Sequence, residues 1–353
     1  MDAVRIGVAG AGYWGKNLVR TFAAAAGSQL VAIADGSPEV RARMGRSYPE
    51  AELLETAGEL FGRPDVDAVV LATPAATHAA LALEALAAGK DVFVEKPLAL
   101  DVASARQVEE AVAREHRILQ VGHLLRYHPA VEWLDTALRE GELGDLRYIY
   151  CRRVNLGRIR HEEDALWSFG PHDLSIILHL IGADPIEVVA IGESWVQPGV
   201  ADVVFITLRF PGGRIANVQL SWLDPHKERA ITVVGSRRMV TFDDVHPTEK
   251  IRVYDKGIDR QEEYESFAEF LSIRDGDIRI PAIPNAEPLA QEAAHFIECV
   301  RERTAPRTGV ADGVRVVRIL EAAERSMAEG GTRVRLDPEG AAEESGTLAA
   351  GRC

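Results

Sequence analysis

The sequence predicts an α/β protein of two domains: an N-terminal doubly wound parallel sheet, then an α/β domain on a mostly antiparallel sheet. Three observations carry this. Up to about His123, short apolar β-branched runs alternate with Ala/Leu/Glu-rich stretches at helical spacing, the signature of strand–helix–strand units. Beyond it the apolar runs lengthen and are parted by turn signals such as Pro211-Gly212-Gly213 and Gly235-Ser236. A chain of 353 residues also suits two cores, because domains usually run about 100–200 residues.

In the first half, strands are expected at Val4–Ala9, Leu30–Ala34, Ala68–Ala72, Asp91–Val94 and Ile118–Val121. Each is continuously rather than alternately apolar, as burial on both faces requires. The periodicity predicts helices over His78–Ala88 and Ala103–Glu115, and another beginning near Trp14. In the second half a helix over Pro129–Glu140 leads into strands at Leu146–Val154, Ile186–Glu193, Val203–Phe210, Arg214–Leu223, Ala230–Gly235, Met239–Asp243 and Lys250–Tyr254. One helix is expected near Pro171–Ile181, and two amphipathic ones over Pro288–Glu302 and Gly309–Ala328. The divisions expected are 1–123, 124–335 and a Gly/Ala/Glu/Ser-rich tail over 336–353 without periodicity, expected to be disordered.

Hydrophobic residues make up 47% and charged residues 27%, ordinary for a globular protein. A net charge of −14 argues against nucleic acid or an anionic membrane as partner, since both need a concentrated basic surface. A small anionic ligand needs only a few local arginines or a helix N-terminus. Cys151, Cys299 and Cys353 form no CxxC pair and read as thiols of a reducing compartment. No basic, then apolar leader opens the chain, and no apolar run approaches the roughly 20 residues of a membrane span, so a cytoplasmic location is expected.

Gly10-Ala11-Gly12-Tyr13-Trp14-Gly15 lies between the first strand and a helix. In such a loop the first glycine permits the turn and the second lets the backbone approach a pyrophosphate. The third lets the helix pack on the strand, with its N–H groups facing the phosphates. Asp35 follows at the end of the next strand, twenty residues beyond Gly15. Its carboxylate can accept from adenosine ribose hydroxyls and would repel a 2′-phosphate, so a Rossmann domain holding NAD rather than NADP is expected. Tyr13 and Trp14 are counted with this cofactor site.

Glu95-Lys96-Pro97 ends another strand, where ligand groups of open parallel sheets gather. Lys96 there could favour the alkoxide of an alcohol losing its proton; a plain surface lysine is the alternative. The glycine loop, Ala72-Thr73-Pro74 with Thr77-His78, Glu95-Lys96-Pro97 and the region Gly170–Ser175 together resemble the glucose–fructose oxidoreductase / inositol dehydrogenase / MocA family. The resemblance extends to about Arg335. It implies an open antiparallel sheet in the second domain, through which oligomers commonly pack, here a dimer or tetramer. It also implies that Thr73, Pro74, His78, Glu95 and Lys96 meet the cofactor.

The family places a second catalytic group in an Asp-x-x-x-His pattern. The histidine matches His172, and Ser168 stands where the aspartate is expected. Lys96 and His172 are thus the expected catalytic pair, imidazole being suited to accept a proton near neutrality. Asp173 is adjacent and shares no helical face with His172; orienting another group, or capping a helix beside Pro171, remain its alternatives. His123 and Arg126 match the stretch that crosses between the domains near the nicotinamide, with packing as the other reading.

Arg153-Val154-Asn155-Leu156-Gly157-Arg158 concentrates cations in an acidic chain, and Trp222 heads a second cationic segment reaching Arg229. Arg153, Asn155, Arg158 and Asp173 are expected on the substrate, with Trp222 as a platform for a sugar or base. These segments resemble the family branch that oxidises C3 of a UDP-N-acetylhexosamine. A 3-ketosugar reductase, a dehydrogenase of inositol or a free sugar, and a non-catalytic NAD-binding sensor are the alternatives. No nucleophile elbow, Walker loop or His-Glu-x-x-His is present. His161-Glu162-Glu163-Asp164 reads as a solvated loop, and no metal is expected.

Overall fold

A computed structural model describes residues 3–157, 163–260 and 271–336, with the backbone alone at 259–260 and 271. The first sheet comprises β1 (Val4–Ala9), β2 (Ser28–Ala34), β3 (Glu52–Leu54), β4 (Ala68–Leu71), β5 (Asp91–Glu95) and β6 (Leu119–Gly122). Their order is β3-β2-β1-β4-β5-β6, and every pairing is parallel. All residues of β4, β5 and β6 are buried, which is why β4 and the centre of β5 read as continuously apolar. Val69 and Leu71 enter one apolar cluster while Ala68 and Val70 enter the other, so both faces are covered. The connecting helices are α1 (Gly15–Ala24), α2 (Pro38–Ser47), α3 (Ala57–Phe61), α4 (His78–Ala87) and α5 (Val102–Glu115). Strand order reverses between β1 and β4, which places a crevice at their carboxyl ends.

After α6 (Pro129–Arg139) come β7 (Leu146–Val154), α7 (Ala165–Ile181), β8 (Glu187–Glu193), β9 (Val203–Arg209), β10 (Ile215–Ser221), β11 (Glu228–Gly235) and β12 (Met239–Asp243). They are followed by β13 (Ile251–Arg260), β14 (Leu271–Arg279), α8 (Pro288–Glu302), α9 (Val310–Ala328) and β15 (Val334–Arg335). The second sheet has nine strands in the order β14-β13-β12-β11-β7-β10-β9-β8-β15. Its pairings are antiparallel except β7 with β10. That exception is invisible to alternation, which reports a strand's faces but not its direction. Helices α7 and α9 pack on one face of this sheet. The other leaves Tyr148, Tyr150, Ile191, Phe205 and Ile215 exposed.

The division at 123/124 separates the two sheets but not the packing. Helix α8 returns to the first sheet, where Phe296 meets Phe22 and Phe93 edge-on at centroid distances of 6.0 and 5.8 Å. Helix α7 begins at Ala165, earlier than expected, and carries Pro171 inside it. Asp164 caps it, accepting from Trp167 N at 2.9 Å. Leu336, assigned to the tail, is buried and donates its N–H to Ile186 O at 3.0 Å; residues 337–353 lie outside the described residues. Among the described residues no helix is long and apolar enough to cross a membrane.

Candidate active site

A cleft of about 1560 Å³ runs from the glycine loop to the second sheet. At its first end the glycines fit a dinucleotide one by one. Gly10 holds φ +89°, and a Cβ there would stand 2.6 Å from Ala72 O. A Cβ on Gly15 would stand 2.0 Å from Gly10 O, so only glycine lets α1 sit this close to β1. A Cβ on Gly12 would meet nothing within 4 Å, leaving open space where a phosphate would lie. No side chain caps α1 and no acid occupies its first turn, so its N-terminus suits an anion. Asp35 accepts from Ala11 N at 2.8 Å and Ser37 N at 2.9 Å. A carboxylate has about four acceptor positions, so room remains for ribose hydroxyls. Tyr13, Trp14, Thr73 and Pro74 line the same end.

Beside it, β5 delivers Glu95 and Lys96. Trp14 Nε1 donates to Glu95 Oε1 at 2.6 Å, joining the glycine loop to this strand end. Burial raises the Glu95 carboxyl, opposed by the Trp14 hydrogen bond. Gly122 opposes Glu95 across β6, and a Cβ there would stand 3.2 Å from the carboxyl. His78 is buried, with Nδ1 2.7 Å from Pro97 O and Nε2 2.9 Å from Thr73 O. Burial lowers its pKa, so the neutral ring has one N–H for the two carbonyls it spans. His78 thus ties the ends of β4 and β5 together.

Lys96 Nζ donates to Ser168 O at 3.0 Å, joining the lysine to α7. Ser168 and His172 are four residues apart and both line the cleft. Ser168 Oγ and His172 Nδ1 are buried without hydrogen-bond partners among the described residues, so no Ser–His pair replaces an Asp–His pair. Burial lowers the His172 pKa well below its ordinary value, and the nearby Lys96, Arg153, His123 and Arg229 lower it further. Such an imidazole is neutral at pH 7 and free to accept a proton.

Asp173 caps nothing and stands outside the cleft lining: it accepts from Arg153 Nε at 2.7 Å and Nη2 at 2.9 Å, a buried bidentate pair. Arg153 therefore reaches the cleft already neutralised. Trp222 is a correction, being 1% exposed with Nε1 donating to Asp202 at 2.5 Å, so its ring has no open face for a sugar. His123 is also buried off the cleft, and burial pushes it down to about 3. Arg126 turns from the cleft to Asp312 at 3.5 Å, linking the segment after β6 to α9. Asn155 does line the cleft. Arg158, with His161 and Glu162, lies outside the described residues.

The second-sheet side also carries groups that no motif announces. His128, Arg229, Asp244 and Lys250 line it, as does Glu163 nearer α7. They come from three separate strands or strand ends, from the turn before α6 and from the segment before α7. Among them the cationic run ending in Arg229 gave a sequence signal.

Known proteins agree with this layout. Residues 4–123 match the oxidoreductase family with an NAD-binding Rossmann fold, and 131–241 match the GFO/IDH/MocA C-terminal domain. UDP-N-acetylglucosamine 3-dehydrogenase of Acidithiobacillus ferrooxidans is 28% identical over 92% of this chain and 96% of its own length. Inositol 2-dehydrogenase of Acidothermus cellulolyticus is 31% identical over 62% of this chain and 66% of its own. A solved structure of UDP-N-acetylglucosamine 3-dehydrogenase from A. ferrooxidans superposes with a TM-score of 0.78 at 25% identity, covering 93% of this chain and 99% of that one.

Proposed function

This chain belongs to the glucose–fructose oxidoreductase / inositol dehydrogenase / MocA family of NAD-binding dehydrogenases acting on CH–OH groups, and from that premise we propose that it oxidises a secondary alcohol of a sugar nucleotide, at C3 of a UDP-N-acetylhexosamine. The observation that carries the chemistry is the meeting of Lys96 and His172 in one cleft with the glycine loop. For the substrate, similarity to the UDP-N-acetylglucosamine enzyme covers 92% of the chain, against 62% for the inositol enzyme.

Gly10, Gly12, Gly15, Asp35, Thr73 and Pro74 would hold NAD, which when bound supplies the acceptor for the hydride leaving the carbinol carbon. The Lys96 ammonium donates to the substrate oxygen and favours its alkoxide. His172, neutral and buried, takes the hydroxyl proton. Asn155 orients a neighbouring group of the sugar. The exposed face around Tyr148, Tyr150 and Phe205 is the surface through which we expect the chain to form a dimer or tetramer. Incubating the protein with NAD⁺ or NADP⁺ and a panel of UDP-sugars and inositols, following reduced-nicotinamide absorbance, tests the assignment. Including a 2-oxoacid reveals a cofactor recycled in place. UDP-N-acetylglucosamine with NAD⁺ should give the highest kcat/KM; turnover of inositols alone would overturn the substrate.

A further inference from the structure

Strand β11 places Arg229 directly opposite Arg153 of β7, and both line the cleft. Like charges facing each other across strands repel unless anions stand between them. Arg153 has its anion in Asp173. Among the described residues Arg229 has a loose partner, Asp244 Oδ2 at 3.7 Å, and its side chain is 47% exposed. Asp244 is itself shared, with His128 Nε2 3.6 Å from its other oxygen. Lys250 enters the same wall with Nζ donating to Asp244 O at 2.9 Å and His246 O at 3.0 Å, both uncharged carbonyls. Among the described residues Arg153, Arg229 and Lys250 thus line this wall with Asp244, in a chain whose net charge is −14, while Glu163 lies nearer α7 and Asp173 behind the lining. Their charge is felt inside the cleft, for Arg229 and Arg153 are among the charges that disfavour a proton on His172.

We propose that Arg229 and Lys250 form an oxyanion subsite for the substrate, taking a phosphate or carboxylate group of the sugar nucleotide on the wall opposite the glycine loop. A half-exposed guanidinium can offer two parallel N–H donors to such a group, and the ammonium adds a point charge beside it. The cofactor's diphosphate is provided for elsewhere, at the uncapped start of α1. The subsite rests on reading the cleft as that of a sugar-nucleotide dehydrogenase. It also supplies a reason for an anionic substrate there: the anion restores charge balance around Arg229 and so strengthens His172 as a base.

The test uses the full chain saturated with NAD⁺, so that the glycine loop is filled. Titration calorimetry with UDP, pyrophosphate and glucuronate is run on the wild type, on Arg229→Met, Lys250→Met and on Arg229→Lys. Wild type should bind at least one anion, Arg229→Met and Lys250→Met should each weaken it by about 10- to 100-fold, and Arg229→Lys should recover part of the loss. Loss of UDP and pyrophosphate assigns the subsite to the diphosphate; loss of glucuronate alone assigns it to a sugar carboxylate. Retained NADH affinity shows that each variant is folded. No anion bound by wild type, or equal binding by wild type and Arg229→Met, overturns the subsite. Turnover separates this from the function itself. If wild type oxidises inositol and no UDP-sugar, the substrate reading fails while the calorimetry still decides the subsite. If Arg229→Met raises KM equally for UDP-sugar and inositol, the subsite fails and the dehydrogenase stands.

Discussion

The two walls of the cleft are made of different material. At the first sheet, backbone does most of the work: glycines that clear space, an uncapped helix start, and a carboxylate fixed by two main-chain N–H groups. At the second sheet, side chains do it: the Arg153–Asp173 pair, the looser Arg229–Asp244 contact, Lys250 and His128. The first wall serves a cofactor of constant shape, so a short contiguous motif suffices. The second is assembled from distant strands, and its charge can change without disturbing the glycine loop. Lys96 joins them, rooted in the first sheet and bound to α7 of the second domain.

Lys96→Ala should separate the walls most sharply. Its kcat is expected to fall by about 10²–10³-fold in steady-state assays, with a much smaller change in NADH affinity by fluorescence titration. Equal losses in both would place Lys96 with the cofactor wall. Arg153→Met strands Asp173 as a buried, unpaired charge, and urea unfolding should show a loss of about 3–5 kcal/mol. Arg153→Met combined with Asp173→Leu should regain most of that, since no charge is then left buried. A double variant no more stable than the single would mean that the pair shapes the wall by more than charge.

On the cofactor wall, Asp35→Ala should weaken NADH by about 10- to 100-fold and narrow the preference over NADPH. Substrate KM at saturating cofactor should hardly move. A parallel rise in that KM would show the walls to be coupled. The smallest effect is expected from Ser168→Asp. A base works deprotonated, so activity is lost as pH falls through its pKa; burial and nearby cations put the wild-type acid limb of kcat/KM below the ordinary histidine value. The added carboxylate, one turn from His172, should move that limb upward by about one pH unit. A wild-type limb at or above the ordinary value would remove His172 from the role of base.

The glycine spacing, Asp35 at a strand end and Lys96 before Pro97 were legible because each depends on local backbone geometry. Strand and helix periods were legible for the same reason, and most elements fall within a few residues of where the pattern puts them. The second wall was legible only as a concentration of cations. Which of them faces the cleft depends on partners far along the chain. Asp173 draws Arg153 into a buried pair, Asp202 fixes Trp222 in the core, and Asp312 draws Arg126 away. Helix α8 crossing back to Phe22 and Phe93 was likewise out of reach, because amphipathicity shows that a helix has an apolar face but not which sheet covers it. The dinucleotide wall could be read from residue order alone, since its dihedral and steric demands are confined to a few neighbouring residues. The second wall emerged with folding, because burial and charge pairing are settled between residues that meet only when the chain has folded.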